Sequence, residues 1–218
     1  MEQEKRILVI APHADDEVLG CGGYLLHQKN ADNADIRIIV ATIGGSDKRQ
    51  DFSTREMEFL NVCNALGAKG KYLYKNMDAL IDTVSSFEIV SKLDKEIDDF
   101  KPDEIFVNCM SKHQDHIKLF QCAMSSIRLR EGYMPKFVAL YEYPFSTQGY
   151  NVHSGGKVYH DISDNIDDKI KLFKLYETQI RNSPSPLNER GIKALASIRG
   201  LESGVMYAEM FYLQQMKI

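Results

Sequence analysis

The chain has no surplus of basic charge: 27 lysines and arginines stand against 31 aspartates and glutamates, a formal net charge of -4 in 218 residues. Without a basic field there is no counterion release to drive nucleic-acid binding, so DNA and RNA are excluded as expected partners. Long hydrophobic runs are missing too. Residues 1–6 are mostly charged, and the apolar run after them ends at Pro12 and His13, too short for a signal core or a membrane span. The expectation is a cytoplasmic chain with no membrane partner. Cysteine is sparse: Cys21, Cys63, Cys109 and Cys122 show no Cys-x-x-Cys spacing, which leaves neither a disulfide framework nor an all-cysteine zinc site. They read as small core residues. Six prolines and 14 glycines exclude collagen-like and low-complexity character, and no internal repeat is present. With 44% apolar residues the chain can build a sizeable core, and its length fits one domain over 1–218.

What is present is an alternation of β-branched runs and helical periodicity. Arg6 to Ile10 reads as a buried strand ending at Pro12, followed by a loop with Asp15, Asp16 and Glu17, then a helix from Val18 to about Lys29. The dinucleotide pattern G-x-G-x-x-G is absent, so Gly20, Gly22 and Gly23 signal close backbone packing rather than a nucleotide cofactor. Ile36 to Thr42 reads as a strand, 44–53 as a long polar loop of the kind that covers a site, and Ser53 or Thr54 as the cap of a helix to Leu66. Lys71 to Tyr74 and Glu104 to Val107 are further strands, with helices at Phe87 to Phe100 and Ile117 to Arg130. Phe137 to Tyr143 and Lys157 to Ile162 are two more strands, and a helix runs from Asp164 or Asn165 to about Gln179. Two short helices are expected to close the chain. In the tail, Met206, Tyr207, Met210, Phe211 and Leu213 follow helical spacing, as core or as a contact in a homo-oligomer. The whole predicts an α/β, Rossmann-like three-layer sandwich with a mostly parallel central sheet.

Two polar clusters fall just after predicted strands, where open α/β sheets bind ligands. In the first, His13 and Asp16 are three apart and can converge on one point, with Asp15 facing elsewhere. In the second, His113 and His116 flank Asp115 ahead of a helix. The plain alternatives are acids at a helix N-terminus and a chance His-x-x-His pair; two such clusters at two strand ends are less easily accidental. Catalytic zinc takes three protein ligands from His, Asp or Glu and leaves one position open. His13, Asp16 and either His113 or His116 would satisfy it. Asp15 is then a spare carboxylate able to take a proton from water at the open position, and the remaining histidine can stabilise an oxyanion. His27, His153 and His160 lack clustered acids and read as surface or structural residues.

At these residues the chain resembles the LmbE-like, or PIG-L, family of zinc-dependent de-N-acetylases. The family motif Pro/Ala-His-Pro-Asp-Asp-Glu is matched by Pro12-His13-Ala14-Asp15-Asp16-Glu17, and His-Pro-Asp-His by His113-Gln114-Asp115-His116. Weaker matches are Leu19-Gly20-Cys21-Gly22-Gly23, Arg55-Glu56 leading to Leu66-Gly67, Tyr176-Glu177-Thr178-Gln179 and Tyr207-Ala208-Glu209-Met210-Phe211. The resemblance implies zinc bound by His13, Asp16 and His116, with Asp15 as general base. It implies His113, oriented by Asp115, as electrophile or acid, and Arg55 and Asp78 as residues that hold the sugar. Other divalent ions, Fe2+ among them, suit the same ligands. The implied reaction is removal of the acetyl group from an N-acetylated amino sugar or sugar conjugate, with another N-acyl amide or a non-catalytic sugar-binding role as alternatives. The family includes an N-acetylglucosaminyl-phosphatidylinositol deacetylase with a membrane anchor; no such anchor is expected here, which points to a soluble substrate such as a surface-glycan or thiol-cofactor precursor. Both motif prolines are replaced, by Ala14 and Gln114, an exchange expected to loosen both loops while keeping every ligand.

Overall fold

The run Ile7 to Ala11 has no polar face. Ile7, Val9 and Ala11 enter one hydrophobic cluster, Leu8 and Ile10 a second, so this strand must be covered on both sides. The computed structural model describes residues 4–31, 34–45, 51–130, 132–144 and 156–218. Among them the order is β1 (Arg6–His13), α1 (Asp16–Ala31), β2 (Asp35–Ile43), α2 (Phe52–Leu66), β3 (Lys69–Lys75), α3 (Ser86–Phe100), β4 (Glu104–Asn108), α4 (Gln114–Ser126), β5 (Phe137–Tyr141), β6 (Lys157–Asp161), α5 (Ile166–Lys174), α6 (Glu189–Ser203) and β7 (Ala208–Met216). The seven strands form one sheet, ordered β3-β2-β1-β4-β5-β7-β6. The first five run parallel; β7 is antiparallel to both its neighbours. Helices α1, α2, α5 and α6 pack on one face and α3 and α4 on the other, giving the expected three layers. Among the described residues no helix is long and apolar enough to cross a membrane.

Several boundaries differ from the sequence reading for identifiable reasons. β1 continues through Pro12, because beyond Ile10 it pairs only with β2 and the missing N–H leaves no gap on a second side. Asp51, not Ser53 or Thr54, caps α2, its Oδ2 accepting the Thr54 N–H at 3.1 Å. α4 starts at Gln114 because His113 caps it. α5 ends at Lys174, and a 3-10 turn over Glu177–Gln179 takes the place of its predicted last turns. The tail is the main correction. One helix, α6, is followed by a strand rather than a second helix, and Ala208, Met210 and Phe211 are buried between β5 and β6. A strand buried on both faces loses its period of two, and its apolar residues fell by chance on helical spacing. Met206 is exposed, outside the strand. The loop expected to cover a site over 44–53 lies about half, and His153 wholly, outside the described residues.

α1 breaks at Cys21 (φ -138°, ψ 18°), freeing backbone groups in the core. A Cβ on Gly20 would come within 2.0 Å of the Tyr141 ring, so the break brings backbone against side chain where only glycine fits. Glu209 of β7 accepts the Gly23 and Tyr24 N–H groups, both at 2.8 Å, and Lys169 of α5 at 2.7 Å; Lys169 also donates to the Leu19 carbonyl. Both side chains are buried. Glu209→Ala leaves two amides unpaired and a buried ammonium without its counter-charge, and the expected loss is about 3–5 kcal/mol of unfolding free energy in urea titration. A loss under about 1 kcal/mol would show that the kink does not need this pair.

Candidate metal and catalytic site

β1 and β4 are neighbours, with Ile10 opposite Val107, so the clusters that follow them meet although about a hundred residues separate them. His13 ends β1, Asp16 opens α1, and His113 and His116 sit at the start of α4. This is the switch point where the strand order reverses around β1. Asp16 Oδ2 lies 3.4 Å from His13 Nδ1 and 3.3 Å from His116 Nε2. Donors about 2.0–2.2 Å from a tetrahedral cation are separated by about 3.3–3.6 Å, so these spacings fit such an ion. Nitrogen–carboxylate–nitrogen is also the donor chemistry of zinc and similar divalent ions. Burial alone would raise the Asp16 carboxyl, but His116 above all, with His13, holds it far below its ordinary range.

The outer nitrogen of His13 is held as well. Its Nε2 lies 3.0 Å from Asp115 Oδ2 and 3.2 Å from Asp78 Oδ1. Burial disfavours a charge on His13, yet Asp115, Asp16 and Asp78 together raise it well above the imidazole range, which marks the spot as one that draws positive charge. His13, Asp78, His113 and Asp115 form a second group with metal-donor atoms, but the Asp115 carboxylate is already spent: it also accepts the Ala79 N–H at 2.7 Å and the Ile81 N–H at 3.0 Å. That group is better described as the support of His13. The expected pairing of Asp115 with His113 is thereby corrected. The carboxylate turns to His13, because the chain at 79–81 supplies its other partners; only the Asp115 backbone N–H reaches His113, at Nδ1 and 3.3 Å. With Nδ1 accepting, a neutral His113 carries its proton on Nε2. Burial, and then His13 and His116, lower its pKa and keep it neutral. The Gln114 side chain donates to the Ala79 carbonyl at 3.2 Å, tying the loop that loss of proline was expected to loosen.

Asp15 lines the cavity, and its carboxylate makes no hydrogen bond among the described residues. Burial first, and Asp16 next, push it well above the usual carboxylate range, with Arg55 pulling the other way. Its backbone is strained: φ is 141°, a region costing a non-glycine residue about 1–3 kcal/mol. Glu17 Oε2 accepts the Asp15 N–H at 3.0 Å, and Glu17 Oε1 accepts the Tyr176 hydroxyl at 2.5 Å. Burial pushes the Glu17 carboxyl up to about 7, against the pull of Tyr176. Arg55, expected to hold sugar, is 2% exposed and spends its guanidinium on Glu58, the Thr178 hydroxyl and the Ala14 carbonyl. Asp78, 28% exposed at its side chain, stays at the cavity wall. Glu17, Glu58 and Tyr176 were not singled out as site residues from the sequence; the available signals were Glu17 inside the first motif and Tyr176 at the head of a weaker match.

The cavity holds about 370 Å³, with Thr42, Lys112, Tyr143, Gln179 and Leu187 completing its walls. The sequence profile of the PIG-L family, described as GlcNAc-PI de-N-acetylase, matches residues 8–127, more than half of the chain. The chain belongs to the PIG-L family. No curated protein matches it. Among solved structures, N,N'-diacetylchitobiose deacetylase from Pyrococcus horikoshii superposes with a TM-score of 0.73 at 22% identity, over 98% of this chain and 85% of that one. The zinc-inhibited form of teicoplanin deacetylase Orf2 gives 0.78 at 15%, over 96% and 97%. GalB, the 4-carboxy-2-hydroxymuconate hydratase of Pseudomonas putida KT2440, gives 0.77 at 15%, over 98% of each chain. At these identities the likeness is one of fold, and the fold carries more than one reaction.

Asp115→Ala removes the acceptor of two buried backbone amides, and about 1–3 kcal/mol of local stability should go with each. Hydrogen exchange at Ala79 and Ile81 should speed at least tenfold while α3 is unaffected; unchanged exchange there would mean that Asp115 does not hold the segment.

Proposed function

We propose that this PIG-L family chain is a metal-dependent amidohydrolase that removes the acetyl group from an N-acetylated amino sugar or soluble sugar conjugate. The observation that carries the reading is the triad of His13, Asp16 and His116, with donor atoms within 4.8 Å of one another, beside an uncommitted, cavity-lining Asp15. A purely structural cation has no use for a free carboxylate at its open side. Family membership supports the acetamide as the bond cleaved, and a cavity of about 370 Å³ is in the range of small-molecule sites.

Zinc, or another divalent ion such as Fe2+, held by the triad would supply Lewis acidity to a carbonyl oxygen and lower the pKa of an adjacent water. Asp15 takes a proton as that water attacks the acetamide carbon. The new C–O bond moves charge to the carbonyl oxygen, to which His113 donates its Nε2–H. Asp15 returns the proton to nitrogen as the C–N bond breaks, leaving acetate and a free amine. Asp115 fixes the His13 ring, and Asp78 offers an acceptor for a sugar hydroxyl.

Zinc-loaded protein should release primary amine from at least one member of a panel of free, nucleotide-linked and glycosidic N-acetyl sugars. Asp15→Asn should cut that rate by about 10²- to 10⁴-fold with zinc content unchanged. Full turnover by the variant would remove Asp15 from the role, and silence of the native chain across the panel would favour another acyl amide or a binding protein. Chelation should abolish activity and added zinc restore it, whereas His116→Ala should fail to regain metal by elemental analysis. Full zinc content in that variant would count against the ligand set.

A further inference from the structure

The peptide joining Ala14 to Asp15 is gripped at both ends. Its carbonyl accepts Arg55 Nη2, and its N–H donates to Glu17 Oε2 at 3.0 Å. We infer that Arg55 and Glu17 are positioning residues whose shared task is to hold this one peptide plane, and so to keep Asp15 in the left-handed conformation that aims its carboxylate into the cavity. The inference rests on the reading of Asp15 as the base.

Rotating a peptide plane by half a turn changes the ψ before it and the φ after it by about 180° and little else, because the flanking chain stays in place. Such a flip would take Asp15 from φ 141° to about -40°, out of a region sparsely used by residues with a Cβ. Strain alone therefore favours the flip. Reversing the plane would turn the carbonyl toward the Glu17 carboxylate and the N–H toward the Arg55 guanidinium, two repulsive contacts in place of two attractive ones. That opposition keeps the strained state.

Each arm is itself buttressed in the interior. Glu17 is fully buried and takes the hydroxyl of the equally buried Tyr176. Arg55 is paired with Glu58 at 2.6 Å, and Glu58 accepts both the N–H and the hydroxyl of Thr178 at 2.8 Å. Tyr176 and Thr178 flank the start of the 3-10 turn after α5, so one short segment braces both arms. A buried ion pair and a buried acid are weak sources of stability against apolar packing, and here both converge on the backbone of a single cavity residue. The metal triad does not depend on this grip: His13 is held by Asp115 and the Asp16 carboxylate by the His13 N–H.

Glu17→Ala should lower kcat about 10²-fold, the scale of an ångström of misplacement, with KM and zinc affinity in chelator competition unchanged. Glu17→Gln should recover most of the rate, since its amide oxygen still accepts the Asp15 N–H and its amide nitrogen can donate to Tyr176. Arg55→Lys should lose rate as Glu17→Ala does, because one ammonium cannot span the Ala14 carbonyl and Glu58 as the guanidinium fork does. Two readouts are independent of activity: a crystal structure of Glu17→Ala should show residue 15 at negative φ, and Asp15→Gly should melt above Asp15→Ala. If native protein cleaves no N-acetyl sugar, the functional reading falls while these two still decide the grip. A Glu17→Ala chain that keeps φ positive at residue 15, a glutamine variant as slow as alanine, or an alanine at 15 as stable as glycine would each overturn it.

Discussion

The parallel pairing of β1 with β4 is the contact on which the site depends. Parallel neighbours need a crossover, and here α1, β2, α2, β3 and α3 all intervene between two strands that lie side by side. Both chains leave the sheet at the same end, one into Asp15 and Asp16, the other into His113 and His116. No local interaction could bring these groups together. The apolar residues that bury β1 on both faces are thus as much a condition of the site as the residues in it, and a shift of register between Ile10 and Val107 would carry the donor atoms out of reach of one another.

Around that junction the backbone is irregular, and the irregularity is met in one consistent way. A buried amide without an acceptor costs about 1–3 kcal/mol, so each departure from regular structure in the interior needs a substitute partner. Glu209 serves the break in α1 at Gly23 and Tyr24; Glu17 serves Asp15; Asp115 serves Ala79, itself at φ 61°, and Ile81. Each carboxylate is almost fully buried and each has a second side-chain partner, an ammonium, a hydroxyl or an imidazole: Lys169, Tyr176 and His13 respectively. Buried acids are therefore the means by which strained segments are set in a packed interior, and two of the three segments border the cavity.

This explains what the sequence could and could not disclose. The strands before the two clusters were legible because continuous β-branched runs stop abruptly at polar residues, and His13, Asp16 and His116 do come together. The destination of Asp115 was not legible: its carboxylate is chosen by amides at 79 and 81, delivered by a connection that carries no periodicity. Arg55 and the segment Tyr176 to Gln179 stood out only through the family resemblance; that Arg55 would pair with Glu58 at i+3 and with Thr178, more than a hundred residues away, was not legible. β7 failed for the opposite reason, since full burial erased the alternation that marks a strand, and the spacing of Tyr207, Met210 and Phe211 imitated a helix. Local pattern reports which faces are buried; it does not report partners made by long-range packing.

Because one fold supports several reactions, chemistry has to be read from capacity left over after the structure has satisfied itself. Asp115, Glu17 and Glu58 have their oxygens taken by protein donors, and most of the Arg55 fork is likewise committed. Among the described residues that line the cavity, the groups with capacity to spare include the Asp15 carboxylate, the Nε2–H of His113, and the triad atoms that face one another, His13 Nδ1, Asp16 Oδ2 and His116 Nε2. A proton acceptor, a neutral hydrogen-bond donor and a set of atoms able to hold a cation are what the proposed hydrolysis of an amide requires, and these residues line one cavity. The strain at residue 15 fits this division, since a carboxylate left unpaired in a buried wall would relax into a hydrogen bond with its neighbours unless its backbone forbade it. Without a hydrogen-bond partner, the Asp15 carboxylate keeps the capacity that its proposed role as base requires.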